Sequence, residues 1–291
     1  MAQIVTTINF KGGVGKTTCS VEIACSLAKY YGRRTLLVDL DPQASATFYV
    51  MEQDQWKQWQ SQQGTTYNLF EQHTSTFPIR NAIVRNVISR TVLVPGFDLL
   101  PSTPELIDVD LRLADFVGYN ILQRHLDAIS AEYDYIICDC PPNFNPVTKN
   151  SIWASDAYVI PTIPDFLSTY GIGLLQRSVH KFFSLTSSPQ TPVPTLGGII
   201  LTRVKTNAIL HATYCEQVHF DYPHQVFNHL ISDSVKIAEA AGNRLPISAV
   251  ASPKDKHLAE LQNQFQALAG EFISRIRHIN PPRKSNPLPP L

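Results

Sequence analysis

Lys11-Gly12-Gly13-Val14-Gly15-Lys16-Thr17-Thr18 sets three glycines and two lysines ahead of a pair of hydroxyl residues. Glycines at this density let backbone N–H groups close around phosphate oxygens, and a helix starting at such a loop adds the partial positive charge of its N-terminus. Lys16 is placed to neutralise the β and γ phosphates of a nucleotide, and the Thr17 hydroxyl to ligate Mg²⁺. Three carboxylates farther along suit the same chemistry. Asp39 and Asp41 end the run Leu36-Leu-Val-Asp-Leu-Asp-Pro-Gln43, and Asp139 ends the apolar part of Tyr133-Asp-Tyr-Ile-Ile-Cys-Asp-Cys-Pro-Pro142. An apolar strand that finishes on an acid projects it beyond the carboxyl edge of a sheet, where open α/β folds bind ligands. The ordinary phosphate-loop pattern is nevertheless broken: Phe10 stands where its first glycine belongs, and Lys11 adds a second lysine before the glycines.

These groups need a scaffold, and the hydropathy pattern supplies one. Residues 3–9 are short, β-branched and apolar, residues 19–31 are apolar at helical spacing, and residues 34–39 form a second apolar run. A helix between two such runs is the signature of a parallel β-α-β unit. Further strands are predicted at 97–101, 135–139, 157–161, 198–202 and 225–230, with helices around 121–131, 171–184, 208–219 and 253–278. The alternation predicts an α/β fold: a doubly wound, mostly parallel sheet of about seven or eight strands with helices on both faces. Residues 1–279 read as a single domain. Residues 51–80, opening on a Gln-rich stretch with Trp56 and Trp59, read as a surface excursion, and the five prolines of 280–291 as an extended or disordered tail.

Composition narrows the class. With 291 residues, 44% of them hydrophobic and 16% charged, the chain can bury a sizeable core, which excludes a wholly disordered, collagenous or small disulfide-stapled protein. Five cysteines without C-x-x-C or zinc-ligand spacing point to a reducing cytoplasm. Residues 1–10 lack the features of a secretory signal, and no apolar run approaches the length of a membrane span. Lys+Arg and Asp+Glu balance at 24 each, which removes the usual first indication of nucleic-acid binding.

The stretch X-K-G-G-V-G-K-T-T resembles the deviant Walker A box of the ParA/MinD family of dimeric ATPases, and similarity to its partition members runs from about residue 2 to residue 278. The resemblance implies ATP and Mg²⁺ as ligands, with Gly12, Gly13, Val14, Gly15, Lys16, Thr17 and Thr18 around the phosphates. It implies that Asp41 orients the attacking water, that Asp39 supports the Mg²⁺ shell and that Asp139, in the Walker B strand, holds the ion through water. Thr202 and Arg203, with Asp233 on the opposite loop, correspond to the adenine surroundings. In the family the first lysine, here Lys11, crosses a nucleotide-sandwich dimer to the partner's phosphates. A lysine buried there without a phosphate would be an unpaired charge, so ATP is expected to be required for the homodimer. Catalysis would rest on Lys11, Lys16 and Asp41. Lys149, where the family pattern has an apolar residue, is a candidate for a second contact across the interface.

The same resemblance implies non-specific DNA binding by the ATP dimer, a nucleoid-associated cytoplasmic location, and a small ParB-like or other cargo adaptor that stimulates a slow ATPase. From Ile160 onward the chain holds 12 Lys+Arg and 8 Asp+Glu, a net +4 against −4 for the preceding part, so overall neutrality conceals a dipole. Lys205, Lys236, Arg244, Lys254 and Lys256 are the candidate phosphate contacts. The rival classes fit less well. A membrane-cycling regulator needs a terminal amphipathic helix, against which the terminal prolines argue. A nitrogenase-type iron protein needs interface cysteines that Cys138-Asp-Cys140 does not match. A metabolic P-loop enzyme needs an acceptor site that no motif marks. No helix-turn-helix precedes the ATPase segment, so an adaptor rather than this chain is expected to read a centromere or another cargo.

Overall fold

In a computed structural model, residues 1–71, 77–89, 92–113, 118–186, 192–205, 207–251 and 253–279 are described. The strands are β1 (Gln3–Thr7), β2 (Thr35–Asp39), β3 (Ile88–Ser89), β4 (Val92–Leu93), β5 (Phe97–Leu100), β6 (Tyr135–Asp139), β7 (Ala157–Thr162) and β8 (Thr195–Leu201). The helices are α1 (Lys16–Tyr31), α2 (Ser45–Val50), α3 (Gln53–Gln62), α4 (Ile79–Ala82), α5 (Leu106–Leu113), α6 (Ile121–Asp127), α7 (Pro146–Ala154), α8 (Phe166–Thr186), α9 (Ile209–Asp221), α10 (Val235–Gly242) and α11 (Lys256–Ile276). The main sheet has the order β5-β2-β6-β1-β7-β8, and every pairing in it is parallel. A two-stranded antiparallel ribbon, β3-β4, stands apart.

Alternation along the strands divides the core. Val5, Leu37, Ile137, Val159 and Ile200 pack with α1 and α11 on one face. Ile4, Leu36, Val38 and Ile136 pack with α6 and α7 on the other, and Tyr158, Ile160 and Leu201 continue that face under α8. A strand covered on both sides must be apolar on both, which is why these runs are nearly continuous in the sequence. The chain leaves β1 for β2 on one side, and β7 lies on the other, so strand order reverses at β1. The loop after β1 therefore opens at the crevice where an open α/β sheet receives its ligand.

Among the described residues the sheet has six strands rather than the seven or eight expected, and the shortfall at residues 225–230 has a physical cause. Residues 225–230 run beside β8 and touch it through the Ile199–Val226 bridge, with Phe227 N–H donating to Ile199 O at 2.8 Å. The next two amides turn away: Asn228 N–H donates to the Glu271 carboxylate at 2.9 Å and His229 N–H at 3.1 Å, so a side chain of α11 takes the bonds a strand neighbour would need. Residues 121–131 also divide, into α6 and a separate 3-10 turn at Ser130–Glu132. Within the predicted excursion, α3 has no fully buried residue, yet its two indoles anchor it: Trp56 Nε1–H donates to Ser102 O at 2.9 Å and Trp59 Nε1–H to Ala82 O at 3.1 Å. The predicted tail, 280–291, lies outside the described residues.

Candidate nucleotide-binding site

The loop between β1 and α1 owes its shape to two glycines in the left-handed region, Gly13 at φ 74° and Gly15 at φ 79°, the second serving as the N-cap of α1. A side chain at either would be strained. α1 ends on Gly32, also left-handed, whose N–H donates to Leu27 O. The loop is thus held by glycine geometry at one end of a helix packed beneath the sheet.

Lys16 is buried, and its ammonium donates to Lys11 O at 3.1 Å. Burial lowers its pKa, while the charges of Asp139 and Asp41 act in the opposite direction. Thr17 Oγ1–H donates to Asp139 Oδ2 and Ser20 Oγ–H to Asp139 Oδ1, both at 2.8 Å. Burial lifts the Asp139 carboxyl to about 6 against those two hydroxyls and Lys16. Asp39, also fully buried, accepts from Thr47 N–H at 2.8 Å, Thr47 Oγ1–H at 2.7 Å and Asp41 N–H at 3.1 Å. Burial, then the neighbouring Asp139, raises it to about 8. Asp41 is half-buried and shapes its own turn, its Oδ1 accepting from Gln43 N–H at 2.9 Å.

A cavity of about 550 Å³ opens over this loop. Gly12, Gly13, Gly15, Lys16, Thr17 and Thr18 line one end of it with Asp41. Thr202, Arg203, Ile231, Asp233, Ile237 and Ala241 line the other. Thr202 Oγ1–H donates to Val14 O at 2.7 Å, fastening the end of β8 to the loop. Arg203, itself at φ 52°, reaches Gly13 O at 3.1 Å and Asp233 Oδ1 at 3.2 Å. Of the predicted phosphate and adenine groups all but the buried Val14 line this one space, whereas of the predicted metal groups only Thr17 does: Asp39 and Asp139 are fully buried behind it, Asp139 reaching the site through Thr17. The oxygen-only donors, Thr17 and the carboxylates without imidazole or thiolate, have the chemistry of a Mg²⁺ site.

Other predicted residues fall elsewhere. Lys11 does not line the cavity; its ammonium sits 2.7 Å from Asp165 Oδ2. Lys149 lies half-buried on α7, also away from the cavity lining. Of the candidate DNA contacts, Lys205 is 3.9 Å from Asp233, Lys236 is 3.0 Å from Glu239 and 3.4 Å from Asp255, and Arg244 is 3.0 Å from Glu52. Lys254 and Lys256 are exposed without an ion pair among the described residues. Three participants escaped the sequence reading. Ser20 lies three residues after Thr17 on the same helix, a spacing that points to a shared partner. Thr47 and Asp165 carried no such signal.

A parallel sheet with a glycine loop at its switch point, a lysine inside the cavity and an acid ending the neighbouring strand defines a P-loop NTPase. An AAA domain family matches residues 2–188. The sporulation initiation inhibitor protein Soj of Bacillus subtilis is 32% identical over 248 residues, covering 85% of this chain and 90% of that protein. The chromosome partitioning protein ParA of Myxococcus xanthus is 30% identical over 249 residues, covering 85% and 81%. The chain belongs to the ParA-type ATPase family. The fold is wider than partition: cobyrinic acid a,c-diamide synthase from Mycobacterium smegmatis, solved with an ATP analog and magnesium, superposes with a TM-score of 0.73 at 23% identity, covering 97% of this chain and 98% of that one. Architecture alone thus does not choose between partition and metabolism.

Proposed function

We propose that this chain is a ParA-like ATPase that binds Mg·ATP in the 550 Å³ cavity, pairs with a second copy around the nucleotide, and binds DNA non-specifically in that state. A cargo adaptor of the ParB-like kind would stimulate hydrolysis and reset it, so that a plasmid, chromosome or protein assembly is segregated or positioned on the nucleoid. The observation that carries the reading is the division of labour between the two lysines: Lys16 lies inside the cavity and Lys11 outside it. One lysine would serve the phosphates of its own subunit, and the other, outside the cavity and paired with Asp165, would exchange that carboxylate for charge from a partner.

At the phosphates, Lys16 and the N–H groups of residues 12–18 would neutralise and orient the transferring group, and Asp41, a half-buried residue of the cavity lining, would orient water. Thr17, Asp139 and Asp39 would hold Mg²⁺, which when bound would supply positive charge to the phosphates. Loss of the γ-phosphate removes what Lys11 pairs with, and the dimer parts. Similarity to Soj and ParA across 85% of the chain favours partition over the metabolic reading. No helix among the described residues is long and apolar enough to cross a membrane.

DNA contact would come from phosphate neutralisation by the basic C-terminal half. Lys254 and Lys256 are free to engage at once, whereas Lys205, Lys236 and Arg244 must exchange carboxylate partners for phosphates. Binding is therefore weak per subunit and strongly salt dependent. The test is co-sedimentation with DNA in ATP, ADP and no nucleotide at two salt concentrations. Retention only with ATP, lost at the higher salt, is expected; equal retention in all three states rejects the switch.

A further inference from the structure

The signature lysine is already engaged within its own chain. Lys11 Nζ and Asp165 Oδ2 are 2.7 Å apart although 154 residues separate them, and each side chain is only about a third exposed. The contact is prepared from both sides. Asn9 Oδ1 accepts from Lys11 N–H at 2.9 Å while Asn9 Nδ2–H donates to Pro161 O at 2.8 Å, which fixes the start of the loop against the end of β7. Asp165 Oδ1 meanwhile accepts from Ser168 N–H at 2.8 Å at the start of α8, so the carboxylate has one oxygen for its helix and one for the lysine. Burial raises the Asp165 carboxyl, but Lys11 and Ser168 outweigh it and hold the group below the usual carboxylate range.

We propose that Asp165 is an internal counter-ion that clasps Lys11 in the unpaired chain and must release it before two copies can close on ATP. This deepens the dimer reading above and rests on it. A partner's phosphate and Asp165 compete for one ammonium, so pairing begins only when the phosphate prevails, and a diphosphate offers less charge with which to prevail. The clasp also adjoins an uncovered surface. Phe166, Leu167 and Tyr170, which follow Asp165 on α8, are 64%, 66% and 64% exposed. Release of Lys11 and covering of this apolar turn by the second copy would thus occur at one place.

The variant Asp165→Asn removes the charge and keeps a side-chain oxygen for Ser168 N–H, since Asn caps helices as well as Asp does. Asp165→Ser serves as a second uncharged cap. Sedimentation velocity is followed through an ATP titration of wild type and both variants in saturating Mg²⁺, with nucleotide-free melting temperatures confirming that each is folded. The expected result is half-maximal dimerisation at about three- to tenfold lower ATP in both variants, because two partly exposed ion pairs no longer have to be broken per dimer. Dimerisation of wild type together with an equal or higher ATP requirement in the folded variants overturns the clasp alone. A wild type that stays monomeric at saturating ATP overturns the dimer reading and the clasp with it.

Discussion

Asp39 and Asp139 face each other in register at the carboxyl ends of β2 and β6, so two fully buried carboxylates end adjacent parallel strands beneath the glycine loop. Each has its own hydroxyl partners, Thr47 for Asp39 and Thr17 with Ser20 for Asp139, and both are pushed upward by burial, to about 8 and about 6. Ionised together, the two carboxylates would repel each other, and on the proposed reading a divalent cation would relieve that repulsion.

pH dependence follows with a definite sign. An acid whose folded pKa is raised stabilises the fold below its ordinary value and loses that contribution as pH rises through the folded one. The nucleotide-free protein should therefore lose stability from this pair between about pH 4 and pH 8, while Mg·ATP, which requires ionised Asp139, gains on it. The thermal stabilisation given by Mg·ATP should increase from pH 5 to pH 7, and Asp139→Asn should flatten the increase. Differential scanning fluorimetry at fixed ligand concentration reads both; a larger shift at pH 5 than at pH 7 rejects the assignment.

Glu22 is the strongest test of the scaffold. Fully buried on α1, it accepts from Ile247 N–H at 2.8 Å, Ser248 N–H at 2.9 Å, Ser248 Oγ–H at 2.6 Å and Tyr49 O–H at 3.2 Å. It joins the phosphate-loop helix to a cavity-lining tyrosine and to the C-terminal segment. Glu22→Ala strands these donors and should cost about 3–5 kcal/mol in urea unfolding. Glu22→Gln should cost about 1–3 kcal/mol. Burial raises the Glu22 carboxyl, so wild-type stability declines as pH climbs from the ordinary carboxylate value toward the raised one, and Gln removes that slope.

Thr202 separates a cavity wall from a fastening. Its hydroxyl holds Val14 O at 2.7 Å, so Thr202→Val keeps the volume and removes the bond. The loop should loosen by about 1 kcal/mol, read in calorimetry as roughly fivefold weaker ATP binding with unchanged stoichiometry. An affinity equal to wild type would mean that the glycines alone hold the loop.

Legibility in the sequence tracked how local each feature is. Gly13 and Gly15 announce the loop because their backbone angles are ones other residues avoid, and Asp139 was visible because an acid closing an apolar strand has few other uses. Residues 225–230 read as a strand because Val226, Phe227 and Leu230 have strand-like side chains; what prevents it is Glu271, more than forty residues away, taking two of the amides. Lys11 with Asp165 and Arg244 with Glu52 were hidden for the same reason, since no periodicity encodes a partner on another element. The basic residues nominated for DNA came from a charge imbalance along the chain, and the carboxylates beside Lys205, Lys236 and Arg244 were not legible because only the fold brings them near.

Control of pairing by the γ-phosphate is tested most directly by sedimentation velocity of Asp41→Ala, expected to retain ATP, with Mg·ATP and with Mg·ADP. The predicted result is a species of twice the 32.5 kDa chain mass with ATP and a single chain with ADP. One mass in both nucleotides, whether monomer or dimer, would contradict it.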